Sequence, residues 1–160
     1  MRRTYEPWPG PAFPPAAVRL RAKLAANDDG RTLPMRDETR PDTARIQQAL
    51  DHCPPGHAVE LVTDSGRSAF LSGPLDLRPG VTLRIGPGAI LFASRDPRDY
   101  DLAPGACGTL TRRGHGCKPL IGGDDAPNSA VMGPGTIDGR GWATLLDKRF
   151  SWWQLARQAI

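Results

Sequence analysis

Between Cys53 and Gly141 the chain is cut into apolar blocks of two to five residues by turns built from glycine and proline. Val59 and Leu61 alternate with polar neighbours. Ala69 to Leu71, Leu75 to Leu77, Val81 to Ile85 and Ile90 to Phe92 follow. Ser72-Gly73-Pro74, Arg78-Pro79-Gly80 and Gly86-Pro87-Gly88 separate them. A second group, Leu120-Ile121, Val131-Met132 and Thr136-Ile137, is cut in the same way by glycines, Pro127 and Pro134. Val81, Leu83 and Ile85 share one face while Thr82 and Arg84 share the other, the two-residue period of a strand. Nothing in this stretch has helical spacing, so a βαβ architecture is excluded. With 18 glycines and 17 prolines in 160 residues, a helical bundle is excluded too. The class is all-β: sandwich, barrel or solenoid.

One helix is well marked. Pro41 precedes it, Asp42 or Thr43 can cap it, and Ile46, Ala49, Leu50 and Cys53 recur at i, i+3, i+4 and i+7. Pro54, Pro55 and Gly56 end it. A single apolar stripe just upstream of very short strands suits a parallel β-helix, whose open core needs a lid. Further upstream, residues 1–15 read as an extended, proline-rich lead. Ala17, Leu20 and Leu24 fall on one face of a short helix over Ala16–Asn27, stopped by Asp28, Asp29 and Gly30. Its small alanines favour packing on the domain over lying on a membrane surface. The expected organisation is therefore an extension with a short helix over residues 1–40, then a cap and first coils over 41–160.

No apolar run approaches the ~20 residues needed to span a bilayer. Arg2 and Arg3 are not followed by an apolar stretch, so no secretory leader is visible. The net charge is +4, carried almost wholly by arginine. Such a balance is compatible with a polyanion, either nucleic acid or acidic polysaccharide, but the arginines are scattered like ordinary solvated surface. Of three cysteines, Cys107 and Cys117 flank a short loop and are candidates for a local disulfide, leaving Cys53 free. That bond requires an oxidising compartment. A zinc site from Cys107, His115 and Cys117 matches no familiar ligand spacing, so neither metal nor cofactor is expected.

The order of four strings goes further. DTARIQQALDHC (42–53) is followed by FLSGPLDLRPGVTLRIGPGAILFASRDPRDY (70–100), then KPLI (118–121) and VMGPGTIDGRGW (131–142). This series resembles the N-terminal part of the polygalacturonase family, glycoside hydrolase family 28, from Asp42 to about Trp153. The resemblance implies a right-handed, single-stranded parallel β-helix of the pectin lyase-like class. It also implies secretion or a periplasmic location, and inverting hydrolysis of α-1,4-galacturonan in pectin. A rhamnogalacturonan or xylogalacturonan hydrolase is a related reading. Inversion needs two carboxyl groups about 6.5–9.5 Å apart, one to protonate the leaving oxygen and one to activate water. A basic residue would hold the substrate carboxylate.

The family places its catalytic strings after the GTIDG segment: Asn-Thr-Asp, Asp-Asp, Gly-His-Gly and Arg-Ile-Lys, in that order. None occurs after Asp138. Gly114-His115-Gly116 and Asp124-Asp125 look similar but precede GTIDG, in reversed order, and read as solvated turns. Asp138 reads as a strand-end residue that closes a turn. No catalytic residue is therefore expected here, and substrate-binding residues stay unassigned. Trp152 and Trp153 start a helix capped by Ser151, with Leu155 and Ile160 on its apolar side, and are expected to pack on the β-helix.

Two readings follow. The first is an N-terminal fragment of a polygalacturonase-like hydrolase. The second is a non-catalytic module that binds polysaccharide, or another partner, through basic and aromatic surface. The expected partner is an acidic polysaccharide rather than nucleic acid or membrane, with self-association through an open β-helix end.

Overall fold

In the computed structural model, residues 12–110 and 116–159 are described. The order is β1 (Ala16–Arg21), α1 (Thr43–His52), β2 (Ala58–Val62), β3 (Ala69–Ser72), β4 (Leu75–Asp76), β5 (Thr82–Ile85) and β6 (Ile90–Ala93). Then come β7 (Ile121–Gly122), β8 (Ala130–Met132), β9 (Thr136–Asp138) and α2 (Trp152–Gln158). Three parallel sheets form, ordered β1-β2-β5-β8, β3-β6-β9 and β4-β7. Each strand therefore hands the chain to the next sheet and returns one level further along. This is a single-stranded parallel β-helix.

Register shows how the coils stack. Ala58 lies beside Thr82 and Ala69 beside Ile90, so one coil takes 24 residues measured on the first sheet (58 to 82) and 21 on the second (69 to 90). Leu75 meets Ile121 only because the chain makes a long excursion between β6 and β7. Val59 pairs with Leu83 and Leu83 with Val131; Phe70 pairs with Leu91 and Leu91 with Ile137. Val59, Leu83, Phe70 and Leu91 are fully buried. Each such side chain is worth about 1.5–3 kcal/mol when removed from water.

The backbone at a coil corner sets its own demand. Gly133, at φ +115°, lies so close to the Ile85 carbonyl that a Cβ there would stand 2.2 Å from its oxygen. Any side chain at that position would push the third coil off the second.

Ala16–Arg21 corrects the expected short helix over Ala16–Asn27. It is a strand, paired in parallel with β2 from Ala16/Ala58 to Arg21/Val62. The segment satisfies both periods, since Val18 and Leu20 also alternate with Ala17, Arg19 and Arg21. An available sheet edge decides between them by filling its backbone hydrogen bonds. The segment that follows packs on the sheet as well. Leu24 forms an antiparallel bridge to Ala69, and Leu24 and Leu33 cover Ala69, Leu71 and Phe92 on the outside of the second sheet. This cover explains why every residue of β3 is buried.

The cap helix lies as its stripe requires. Ile46 and Leu50 are fully buried against the core, with Ala49 beside them. The Asp42 side chain, a cap candidate by position, makes no capping bond and holds the coil beneath instead. Asp42 donates its N–H to the Leu71 carbonyl (2.6 Å), and its carboxylate accepts the Leu71 N–H (3.1 Å) and pairs with Arg45 (2.7 Å). Thr43 Oγ1 accepts the Gly73 N–H at 2.8 Å. Arg45 also donates to the Arg21 carbonyl (3.0 Å), tying α1 to β1.

Candidate functional site

An open groove of about 950 Å³ lies between α1, β4, β7 and the excursion. Asp76, Asp99 and Asp124 line it with Lys118, Thr43 and Gln47. Much of this polar lining is already engaged. Gln47 accepts the Asp76 N–H (2.8 Å) and donates to the Asp76 carbonyl (3.0 Å) and the Asp51 carboxylate (2.8 Å). The Asp99 carboxylate accepts the Ser94 hydroxyl. Three carboxylates facing one ammonium would repel a polyuronate, so the groove suits no acidic substrate.

The structure disperses the residues singled out in the sequence. Asp124 and Asp125 are exposed in the turn between β7 and β8, with Asp125 at φ +46°. Gly114 and His115 lie outside the described residues. Asp138, at the end of β9, accepts the Arg140 N–H at 2.8 Å. Cys107 and Cys117 are joined by a disulfide with Cα atoms 4.8 Å apart, while Cys53 is a buried free thiol whose pKa is pushed up by burial. Among the described residues no three metal-ligating side chains gather, and no helix is long and apolar enough to cross a membrane.

The excursion that carries the disulfide is held by its own carboxylates. Asp101 accepts the Cys107 N–H (2.7 Å) and the Gly105 N–H (2.7 Å), and these donors hold its pKa below the ordinary value. Asp96 accepts from the Arg98 side chain and backbone, with the same effect. The helix α2 packs against this loop. Ser151 accepts the Gln154 N–H (3.3 Å) while the Gln154 side chain accepts the Ser151 N–H (2.8 Å), a reciprocal cap. Trp152 stands edge-on to Tyr100 at 6.1 Å, and Leu155 and Ala156 line a crevice with Ala106, Leu110 and Cys117. Trp153 is 59% exposed.

Sequence reasoning missed a buried charge cluster. Glu38 accepts two hydrogen bonds from Arg140 (2.7 and 3.0 Å) and one from Arg95 (3.1 Å). The Glu38 and Arg140 side chains are each 2% exposed. Arg140 also donates to the Ala93 carbonyl (2.9 Å from Nε), and Arg95 to the Thr144 carbonyl (2.7 Å). The partners are 102 residues apart, so no local pattern announces them. The cluster fastens the segment before α1 to the ends of β6 and β9.

Stacked coils, an in-register core and a helix across one end define the class, a right-handed parallel β-helix. No family profile matches the chain. A polygalacturonase of Ralstonia solanacearum is 48% identical over 124 residues, covering 74% of this chain and 23% of that protein. An endo-polygalacturonase of Pectobacterium parmentieri is 45% identical over 117 residues, covering 73% of this chain and 29% of its own length. The solved polygalacturonase from Erwinia carotovora ssp. carotovora superposes on 98% of this chain with a TM-score of 0.80 and 37% identity, using 37% of that structure. By sequence and fold the chain belongs to the polygalacturonase family, glycoside hydrolase family 28. It spans about a quarter of the length of the curated relatives it matches.

Proposed function

We propose that these residues form the cap and first coils of a hydrolase that cleaves α-1,4-galacturonan by inversion, with the catalytic carboxylates outside the 160 residues. The observation that carries this reading is the match of nearly the whole chain, at a TM-score of 0.80, to part of a polygalacturonase. In this role α1 seals one end of the stack, and Val131 and Ile137, each 40% exposed, present the surface on which a further coil sits. The carboxylates named in the sequence support it too, since Asp124 and Asp125 are exposed and Asp138 is bonded to a turn amide.

The test is reducing-end release from polygalacturonate by the purified chain. The expected result is no release above a heat-killed control. Turnover abolished by Asp124→Asn or Asp125→Asn would refute the reading. Left unpaired, the β8 and β9 edges are also expected to associate, which light scattering measures. A second reading, a polysaccharide-binding module, is favoured by Trp153, which is exposed, and by Arg31, which stands over the Trp142 ring.

A further inference from the structure

In a solenoid each coil ordinarily touches only the coils beside it. Residues 22–40 depart from that rule, because they cross the outside of the second sheet and meet three successive coils. At the first coil the Leu24 carbonyl accepts the Ser68 N–H (3.1 Å) and the Ala69 N–H (3.0 Å). Leu33, 4% exposed, joins Leu24, Ala69, Leu71 and Phe92 in one buried cluster that bridges the first coil and the second. Arg95, just past β6, donates to Glu38 (3.1 Å). At the third coil Arg140 gives Glu38 two bonds (2.7 and 3.0 Å), and the Arg31 guanidinium lies 4.9 Å from the centre of the Trp142 ring. The outer face of the sheet changes character along the same path. Register carries Leu71 onto Phe92 and Phe92 onto Asp138, and likewise Ala69 onto Ile90 and Ile90 onto Thr136. Apolar side chains therefore fill the outer face on two coils, and polar ones replace them on the third. The segment covers the apolar part and holds the third coil by charge.

Between these anchors the segment is folded on itself. Asn27 and Thr32 close a turn (N–H to carbonyl, 2.9 Å), inside which the Asp29 carboxylate accepts the Arg31 N–H, the Thr32 N–H and the Thr32 hydroxyl. Met35–Asp37 adds a single 3-10 turn. Turns that carry their own hydrogen bonds survive when the segment leaves the sheet, while β1 and α1 hold its two ends. We propose that residues 22–40 form a latched strap, which opens and closes over the second sheet as one unit, with Glu38 on Arg140 as the latch. The latch residues are 102 positions apart, so the strap closes only on a chain that has built its third coil. Until then Leu71 and Phe92 face water. The device rests on contacts within this chain and is independent of the function proposed above.

The experiment is native-state hydrogen exchange of the full chain, read by mass spectrometry of its peptides. Two substitutions loosen the strap at separate points, Leu33→Ala in the apolar cluster and Glu38→Gln at the latch. A third, Val59→Ala, loosens the fully buried interior of the stack instead. Each strap substitution is expected to speed exchange over the whole of residues 22–40, and at Ser68 and Ala69 beneath, on the order of tenfold or more. Val59→Ala should speed exchange in β2 and β5 on the order of tenfold and leave the strap unchanged, because the strap opens while the stack stays folded. Equal acceleration of the strap by Val59→Ala would overturn the proposal, since the strap would then open only with the whole chain. Leu33→Ala acting only around Leu33, with Glu38→Gln acting only around Glu38, would refute a single unit. A urea series on the unaltered chain needs no variant to fold. Exchange in residues 22–40 should rise with a shallower slope than exchange in β2 and β5, and one common slope would equally overturn the strap.

Discussion

Replacing Glu38 by glutamine keeps the shape of the buried cluster and removes its only negative charge. In the native arrangement one carboxylate compensates two guanidiniums, Arg140 through two bonds and Arg95 through one. After the change Arg140, 2% exposed, retains the Ala93 carbonyl and one neutral amide oxygen, and the amide N–H₂ faces another donor. Breaking a buried pair by removing one partner costs about 3–5 kcal/mol, because the other charge stays out of water without compensation. For a chain of this size that lowers the melting temperature on the order of 10 °C. Circular dichroism melts of Glu38→Gln measure it, with Asp51→Asn as reference, because the Asp51–Arg78 pair is largely solvated and contributes little. A double variant, Glu38→Met with Arg140→Met, should recover more than half of the loss, since it removes the buried cation along with its counterion. Arg95, 15% exposed and bonded to the Thr144 carbonyl, can hold its charge near water. If Glu38→Gln melts within about 1 kcal/mol of the parent, or the double variant is worse than the single, the desolvation argument is wrong.

Gly133→Ala should cost about 2 kcal/mol or more, through its positive φ and the clash with the Ile85 carbonyl, as read by urea unfolding. Peptide mapping without reductant should find Cys107 bridged to Cys117 and Cys53 free, and reduction should lower stability by roughly 3 kcal/mol in the chain-entropy model. The Asp101 carboxyl has its pKa depressed in the fold by the Cys107 and Gly105 amides, so its contribution is present above the unfolded value near 3.8 and is lost as pH falls through the lower folded value. An acid titration of the melting temperature should therefore show a drop below about pH 4 that is smaller in Asp101→Asn. An identical drop in both proteins would mean that the two amides do not hold this carboxylate.

What the sequence made legible is the part of the fold that depends on a period and a stop. Val81, Leu83 and Ile85 point inward as their spacing requires, and Ile46 and Leu50 seal the stack as their stripe requires. Two kinds of information were not local. The six residues Ala16–Arg21 satisfy both helical and strand spacing, and the edge of β2, some forty residues later, selects the strand. Asp42 could be named as a cap by position, yet its carboxylate is spent on the Leu71 N–H, a choice made by the coil beneath it. For the candidate site, composition marked the tryptophans and arginines, but not that Arg31 would meet Trp142 or that Gly141 would carry Trp153.

The VMGPGTIDGRGW string shows why an ordered motif carries more than its separate residues. Gly133 admits the Ile85 carbonyl, and Ile137 stacks on Leu91. Asp138 closes the next turn on the Arg140 amide, Arg140 reaches back to Glu38, and Gly141 seats Trp153. A Cβ on Gly139, by contrast, would meet nothing within 4 Å, so the two glycines around Arg140 are not equivalent. These twelve residues thus touch the preceding coil, the segment before α1 and the helix α2. Each contact fixes the string against a different element, and loss of one leaves the others strained in register. Substitutions at Gly133, Arg140 and Gly141 are therefore expected to couple rather than add, although the residues they meet lie as far apart in sequence as Glu38 and Trp153.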